Sequence, residues 1–140
     1  MTDRRVVSVA IPACNESSNI DELAVRLTAV FDGLADRYDF EIVICENGSQ
    51  DDTYDRLLAL HERDPRFKVV QLVRNFHMEG GMLAALDHVT GDACVIMSAD
   101  LQDPPELIPL FIEKWEEGYE VVYSVITKRH GENIFRRTAA

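Results

Sequence analysis

Asp100 and Gln102 have the side chains and the spacing of ligands for a divalent cation. They stand two residues apart in the segment Ser98-Ala99-Asp100-Leu101-Gln102-Asp103, and side chains at positions i and i+2 share one side of an extended chain. Carboxylate and amide oxygens are hard donors that suit Mg²⁺ or Mn²⁺ bridging a diphosphate. The spacing therefore predicts a cation site that serves a phosphorylated ligand.

Three other segments carry acidic and amide side chains of the same kind: Ala13-Cys14-Asn15-Glu16, Glu46-Asn47-Gly48-Ser49 and Arg74-Asn75-Phe76. The chain has neither a GxGxxG after its first predicted strand nor a GxxxxGK[ST] motif. The two common glycine-rich phosphate cradles are therefore unsupported. We expect phosphate to be held through a metal ion instead.

Each segment also has a simpler interpretation when it is taken alone. Pro12 and Asn15 are typical of a turn before a helix. Segment 46–49 fits a turn with a helix cap, Asp103 fits a helix cap, and Arg74 fits a solvated surface charge. Only the combination and the order of the segments favour a binding site.

The cysteines and histidines show no ligand spacing. Cys14, Cys45 and Cys94 are odd in number and lack a CxxC, and the histidines show neither HxxH nor HExxH. We expect reduced thiols, with no zinc site and no histidine metal site.

The chain is acidic, and its charge is uneven. The formal net charge is -11, made of +3 on residues 128–140 and -14 on residues 1–127. This balance argues against a nucleic-acid partner, because binding to a nucleic-acid backbone draws on clustered Lys and Arg. An acidic body that binds a phosphorylated ligand needs a divalent cation, a basic tail or both. The tail either meets an acceptor phosphate or anionic lipid, or is a solvated chain end.

Length and composition predict one domain. A chain of 140 residues with 46% hydrophobic content suits one core, which we place at residues 1–127. Residues 128–140 form a basic segment, either disordered or the start of an acceptor-side region. No run of about 18 apolar residues and no signal peptide is present, so we expect this chain to be soluble and cytoplasmic.

Hydrophobic periodicity predicts strands that alternate with amphipathic helices. The predicted strands cover residues 6–11, 40–45, 67–73, 93–98 and 119–125. Asn19 with Glu22 predicts a capping box, Ser49 a cap for the second helix, and Asp103 before two prolines a cap for the last. The order βαβαβαβαβ indicates a mostly parallel sheet covered by helices on both faces. Ligands bind outside the carboxyl ends of such strands, where the polar segments fall.

The chain resembles family 2 glycosyltransferases of GT-A type, in particular the polyprenyl phosphate glycosyltransferases. The resemblance rests on Val7 to Glu16, on Glu46-Asn47-Gly48-Ser49-Gln50-Asp51-Asp52-Thr53, on Arg74-Asn75-Phe76 and on Ala99-Asp100-Leu101-Gln102-Asp103-Pro104-Pro105-Glu106. It covers essentially the whole chain. It implies a Rossmann-like nucleotide-sugar-binding domain.

The resemblance also implies roles for individual residues. Pro12, Ala13, Asn15 and Glu16 would line the nucleoside pocket, and Glu46 with Asn47 would contact the base and ribose. Asp100 would be the catalytic metal ligand, with Gln102 beside it and Ala99 allowing close approach of the donor. Arg74 and Ser98 complete the donor-binding set. Mg²⁺ or Mn²⁺ would neutralise the leaving diphosphate while a polyprenyl phosphate or similar acceptor attacks with inversion.

Three positions depart from the family pattern. Ser98 stands where the family has the first Asp of Asp-x-Asp, which lowers the charge of the metal site. Glu46-Asn47 replaces the usual Asp-Asp, a difference from which we expect altered base recognition. His77-Met78 replaces a small residue followed by Lys.

Family members of this type continue well beyond the length of this chain. We therefore expect a fragment that binds donor with little or no turnover, taken from an enzyme associated with the cytoplasmic face of the membrane. The base, the sugar, the acceptor and the oligomeric state stay open, including a homo-oligomer and contact with a membrane surface. The alternative is a non-catalytic nucleotide- or partner-binding α/β module. A receiver domain is disfavoured because the third predicted strand ends in Arg74-Asn75 rather than in an acceptor Asp.

Overall fold

The computed structural model describes residues 4–125. Within this range the strands form one parallel sheet in the order β3-β2-β1-β4. The strands are β1 (Arg5–Ala13), β2 (Tyr38–Glu46), β3 (Phe67–Gln71) and β4 (Ala93–Ile96). Because all of them run in the same direction, their carboxyl ends lie at one edge of the sheet, which we call the rim.

Three helices connect these strands, and a 3-10 turn and a fourth helix follow β4. They are α1 (Ser17–Asp32), α2 (Thr53–Arg63), α3 (His77–Asp87), a 3-10 turn (Pro105–Leu107) and α4 (Ile108–Glu116). Of the described residues, 4–109 form one compact unit and 110–125 belong to a second. The predicted basic segment 128–140 lies outside the described residues, and the predicted domain boundary stays a prediction.

Both faces of the sheet are covered, as predicted. On one face Phe40 of β2 is in register with Val7 of β1, and the Phe31 ring of α1 stacks on Phe40 with centroids 4.2 Å apart. On the other face Val43 packs with Ala85 of α3. Burial of these apolar side chains is the main source of stability for the sheet.

A buried ionic cluster lies at the opposite end of the strands from the rim. Glu41 of β2 is 5% exposed and accepts hydrogen bonds from Ser8 Oγ at 2.6 Å and from Lys68 Nζ at 2.5 Å. It also accepts from the backbone N–H of Thr90. Burial alone would raise the pKa of Glu41, but the hydrogen bonds from Lys68, Ser8 and Thr90 lower it to about 2. The cluster thus ties the turn before β4 to β1 and β2.

The predicted fifth strand is wrong. Residues 119–125 are not in a strand, and Tyr119, Val121, Tyr123 and Val125 are between 57% and 80% exposed. Aromatic and β-branched residues favour a strand only where a neighbouring strand supplies hydrogen bonds and packing. Within residues 4–125 no segment pairs with this one.

The predicted helix caps are also wrong. Glu16 precedes α1 without a side-chain cap bond, and Asn19 lies inside the helix, where its Nδ2 donates to Glu16 Oε2 at 2.7 Å. Asp52 precedes α2 in place of Ser49, and Asp103 Oδ2 accepts from the backbone N–H of Ser98 at 3.2 Å. Ser49 and Asp103 fail as caps because their oxygens bind loop backbone at the rim.

Candidate functional site

The loop after β1 is bonded to the loop after β2 and to the start of α2. The backbone N–H of Asn15 donates to Ser49 Oγ at 2.9 Å, and Asn15 Oδ1 accepts from the N–H of Gln50 at 2.8 Å. One residue on, the N–H of Glu16 donates to Thr53 Oγ1 at 2.9 Å. These bonds fix the first two polar segments side by side.

Asn47 extends this connection to the loop after β3. Its backbone N–H donates to the Ala13 carbonyl at 2.8 Å. Its side-chain Nδ2 donates to the His77 carbonyl at 2.7 Å, and its Oδ1 accepts from the N–H of Phe76 at 2.9 Å. Because Asn47 is 3% exposed, it joins three strand-end loops from within the protein.

Two glycines allow the loops to approach this closely. Gly48 has φ 69°, and a Cβ at this position would lie 2.4 Å from the backbone N of Asn75. A Cβ on Gly81, in the second turn of α3, would lie 2.9 Å from Asn47 Nδ2 and 3.2 Å from Pro12 Cβ. Any side chain at either position would push the loops apart.

Glu46 and Ala13 form the base of the site. They pair across β1 and β2, and both are 2% exposed. Glu46 Oε1 accepts from the backbone N–H of Ser49 at 2.5 Å. This carboxylate therefore holds the turn of the second loop, while half-buried Pro12 and exposed Asn15 lie nearer the surface.

Arg74 lies in the loop after β3 and is exposed. Its guanidinium stacks over the Phe76 ring, 4.0 Å from the centroid, and its Nη1 donates weakly to the Asn75 carbonyl at 3.4 Å. Stacking on an aromatic face restrains a guanidinium while leaving edge donors available. Arg74 thus places a positive charge at the β3 side of the rim.

The loop after β4 lies next to the loop after β1. β4 pairs with β1, and the N–H of Met97 continues this pairing by donating to the Ala10 carbonyl at 3.2 Å. Ala99 is 1% exposed, and Asp100 is half-buried. The fourth polar segment is therefore at the same edge as the other three.

Asp100 and Gln102 do not lie on an extended segment, so that premise of the sequence analysis is wrong. Leu101 between them has φ 63°, and Asp100 Oδ1 accepts from the backbone N–H of Gln102 at 3.0 Å. The N–H of Asp100 makes a long contact of 3.5 Å to Ser98 Oγ. A side-chain-to-backbone bond of this kind closes a tight turn, which the i, i+2 rule for strands cannot describe.

Among residues 4–125 there is no group of three or more His, Cys, Asp and Glu side chains that could hold a metal ion. A cage built from three or more such side chains among residues 4–125 therefore does not fit. Asp100 fits a different kind of site, because Mg²⁺ is usually held by one or two carboxylates together with substrate phosphates and water. The exposed Gln102 is its neighbour in this turn.

Three residues other than glycine have positive φ in the described part of the chain: Asn15 at 56°, His77 at 62° and Leu101 at 63°. Asn15 lies in the loop after β1 and Leu101 in the loop after β4, while His77 is the first residue of α3, next to the loop after β3. Such conformations are unfavourable for residues with a Cβ, and they gather at functional sites. Asn and His occur in this region more often than other residues with a Cβ, so the residue types are compatible with it at Asn15 and His77 but give no signal at Leu101.

Thr53 is a site residue that sequence reasoning missed. It is fully buried, and its Oγ1 donates to Asp51 Oδ1 at 2.5 Å while accepting from Glu16. The hydrogen bond from the Thr53 side chain is the largest effect that lowers the pKa of Asp51. A small polar residue at the first turn of a helix was the available signal.

No helix among residues 4–125 has both the length and the apolar character needed to cross a membrane.

Two sequence relatives resemble this chain over nearly its whole length. An uncharacterized glycosyltransferase, YkcC, of Bacillus subtilis (strain 168) is 43% identical over 133 residues, which are 95% of this chain and 41% of the relative. The undecaprenyl-phosphate 4-deoxy-4-formamido-L-arabinose transferase of Klebsiella pneumoniae subsp. pneumoniae is 39% identical over 135 residues, 96% of this chain and 40% of the relative. The chain thus spans about two fifths of the length of these relatives.

A solved structure has the same fold. It is glucosyl-3-phosphoglycerate synthase from Mycobacterium tuberculosis in complex with Mn²⁺, UDP and glucosyl-3-phosphoglycerate. The similarity has a TM-score of 0.59 at 26% identity and covers 79% of this chain and 39% of that one. The family model of glycosyl transferase family 2 matches residues 8–139. The chain belongs to glycosyl transferase family 2, and its parallel sheet is that of a GT-A nucleotide-sugar-binding domain.

Proposed function

We propose that the rim binds the nucleoside diphosphate part of a UDP- or GDP-linked sugar, together with Mg²⁺ or Mn²⁺. One observation supports this most strongly. The loops after β1, β2 and β3 are hydrogen-bonded to one another through Asn15 and Asn47, and the loop after β4 follows a strand paired with β1. All four polar segments thus lie at one edge, where open parallel sheets bind ligands.

The nucleoside would lie over the loops after β1 and β2. Pro12, Ala13, Asn15 and Glu16 would line one side of its pocket. Buried Glu46 and Asn47 would form the floor of the pocket, beneath the nucleobase and the ribose.

The diphosphate would lie between the loops after β3 and β4. Arg74 would supply positive charge on one side, and Ser98, Ala99, Asp100 and Gln102 would lie on the other. A bound Mg²⁺ or Mn²⁺ would neutralise the charge that develops on the leaving diphosphate. Asp100 would hold this ion, with Gln102 as a neighbouring oxygen donor. Because the chain is acidic overall, a ligand with this much negative charge needs such a cation.

We further propose that the whole protein transfers the sugar to a polyprenyl phosphate or a similar lipid phosphate, at the cytoplasmic face of the membrane. The name of the Klebsiella relative supports an undecaprenyl phosphate acceptor. An acceptor phosphate oxygen attacks the anomeric carbon opposite the diphosphate, the bond from that carbon to the diphosphate oxygen breaks, and the configuration inverts. The attacking oxygen is already anionic, so the step does not depend on a general base.

Calorimetric titration of the 140-residue chain with UDP and with GDP, each with and without MnCl₂, tests the donor site. We expect saturable binding of one nucleotide, strengthened by Mn²⁺. Asp100→Asn should remove the strengthening, whereas Asp87→Asn at the end of α3 should not. Absence of saturable binding of either nucleotide would contradict the proposal and favour a non-catalytic partner-binding module.

A further inference from the structure

His77, the first residue of α3, is held in a left-handed conformation by the side chains of two asparagines. Its φ is 62°, a region that residues with a Cβ seldom occupy. The N–H of His77 donates to Asn75 Oδ1 at 2.6 Å, and the His77 carbonyl accepts from Asn47 Nδ2 at 2.7 Å. Both backbone polar groups of His77 are therefore bound by side-chain amides.

Two further hydrogen bonds and the close approach of Gly81 hold Asn47 in place. Its Oδ1 accepts from the Phe76 N–H at 2.9 Å, and its own N–H donates to the Ala13 carbonyl at 2.8 Å. Gly81 lies so close that a Cβ there would be 2.9 Å from Asn47 Nδ2. The Asn47 amide therefore has little freedom to turn toward a ligand, because turning would leave two backbone groups of the α3 start without their partners.

The backbone conformation of His77 also affects the course of the chain at the rim. Because non-Gly residues favour the right-handed region, His77 would relax toward it without its two amide partners. Such a change would redirect the chain between Arg74 and α3, which borders the proposed diphosphate position. The strain at His77 thus has a defined effect on the site.

We propose that Asn47 is a positioning residue. Together with Asn75 it clamps His77 in the left-handed conformation, and donor binding depends on this clamp rather than on contact between Asn47 and the nucleotide. This inference rests on the proposed donor site. It assigns a role to Asn47 that differs from the base or ribose contact expected from the sequence.

The test is a cycle of variants built on Asn47→Asp and His77→Gly. Asn47→Asp keeps the acceptor for Phe76 and the size of the side chain, but it removes the donor to the His77 carbonyl and adds a negative charge, which both double variants described below retain. It should weaken Mn²⁺-assisted UDP or GDP binding about tenfold, the effect of losing the buried hydrogen bond that Asn47 Nδ2 donates to the His77 carbonyl. His77→Gly alone should bind within about twofold of the wild type, because glycine adopts positive φ without strain.

The double variant Asn47→Asp/His77→Gly decides between positioning and contact. If Asn47 acts by holding His77, glycine at 77 makes the clamp unnecessary and binding returns to within about threefold of the wild type. The matched control is Asn47→Asp/His88→Gly. His88 has φ -108°, so glycine there relieves no strain and should restore nothing. Hydrogen exchange at the start of α3 should quicken in Asn47→Asp and slow again only in the double variant with His77→Gly.

The results of these experiments distinguish failure of the positioning role from failure of the proposed donor site. Wild-type binding that is lost in Asn47→Asp and not restored by His77→Gly would overturn the positioning role and leave the donor site intact. Equal restoration by His88→Gly would also overturn it, since a general gain in stability would then explain the result. No wild-type binding of UDP or GDP would overturn both proposals.

Discussion

The backbone N–H of Asn15 donates to Ser49 Oγ over 2.9 Å, which joins the loops that follow two neighbouring strands. Asn15 has φ 56°, and its side chain accepts from the Gln50 N–H at 2.8 Å. Asn15 thus donates one hydrogen bond to the loop after β2 and accepts another from it. The rim depends on pairs of this kind, and their removal should have measurable effects.

Asn15→Ala should lower the free energy of unfolding more than Asn15→Gly does. Both variants lose the bond to Gln50, but only alanine also suffers at positive φ, by about 1 kcal/mol. Urea unfolding of the two variants measures the difference. Equal stability of the two would show that the left-handed conformation at residue 15 is not retained in solution.

Gly48→Ala should be more damaging than Gly118→Ala. Both glycines have positive φ, but a Cβ on Gly118 meets nothing within 4 Å, whereas one on Gly48 meets Asn75 N at 2.4 Å. We expect Gly48→Ala to lower the free energy of unfolding by about 3 kcal/mol, through strain and overpacking together. Gly118→Ala should cost about 1 kcal/mol. Thermal or urea unfolding measures both, and similar losses would contradict the close approach of the loops.

Glu41 should make stability depend on pH in the acid range. Its pKa in the folded protein is about 2, against an ordinary value of 4.5. A lowered pKa means that ionised Glu41 stabilises the fold above about pH 4.5, and that this contribution is lost as the pH falls toward 2. The shift corresponds to about 3 kcal/mol. Urea unfolding between pH 2 and 7 should show this loss in the wild type.

Glu41→Gln is the variant that tests the origin of the acid sensitivity. It should be less stable at pH 7 and should lose part of the pH dependence below 4.5. Glu106→Gln is the control, because the pKa of Glu106 is also about 2 through its hydrogen bond with Arg26, yet its side chain is 54% exposed. Exposed pairs contribute little to stability. An equal effect of both variants would contradict the importance of burial at Glu41.

The strands and helices at the centre of the fold were predictable because their hydrophobic periods are strong. β1 and β2 are short apolar runs, and the buried residues Ile20, Leu23, Leu27 and Phe31 recur at helical spacing in α1. Parallel topology then placed the polar segments at one edge without any knowledge of contacts. The predicted fifth strand failed because its residues prefer a strand only when a partner is beside them.

The buried polar interactions, at the site and away from it, were not predictable from local patterns. Glu41 stands within an otherwise apolar stretch of β2, and its partners Lys68 and Thr90 are distant in sequence. The Asn47 amide likewise binds a residue 30 positions away. Long-range bonds of this kind depend on how loops meet after folding, and one of the two bonds that hold His77 at positive φ is such a bond.

Asp100→Asn tests the proposed cation role through nucleotide affinity. Removal of the Asp100 carboxylate should weaken UDP or GDP binding in the presence of Mn²⁺ about tenfold or more, since hydrogen bonds and ligation to charged groups contribute more than neutral ones. Affinity without metal should change little. A loss of the same size with and without Mn²⁺ would instead indicate a structural role for the Asp100 bond to Gln102.

The most direct test of the central claim is to map the bound nucleotide and cation on the wild-type chain by nuclear magnetic resonance. Amide signals would be followed during titration with UDP or GDP and Mg²⁺, and then with trace Mn²⁺, whose unpaired electrons broaden nearby signals. We predict shifts in the loops after β1, β2 and β3 and broadening centred on Asp100. Shifts and broadening centred instead on Glu41 and Thr90, at the opposite end of the strands, would contradict the proposed site.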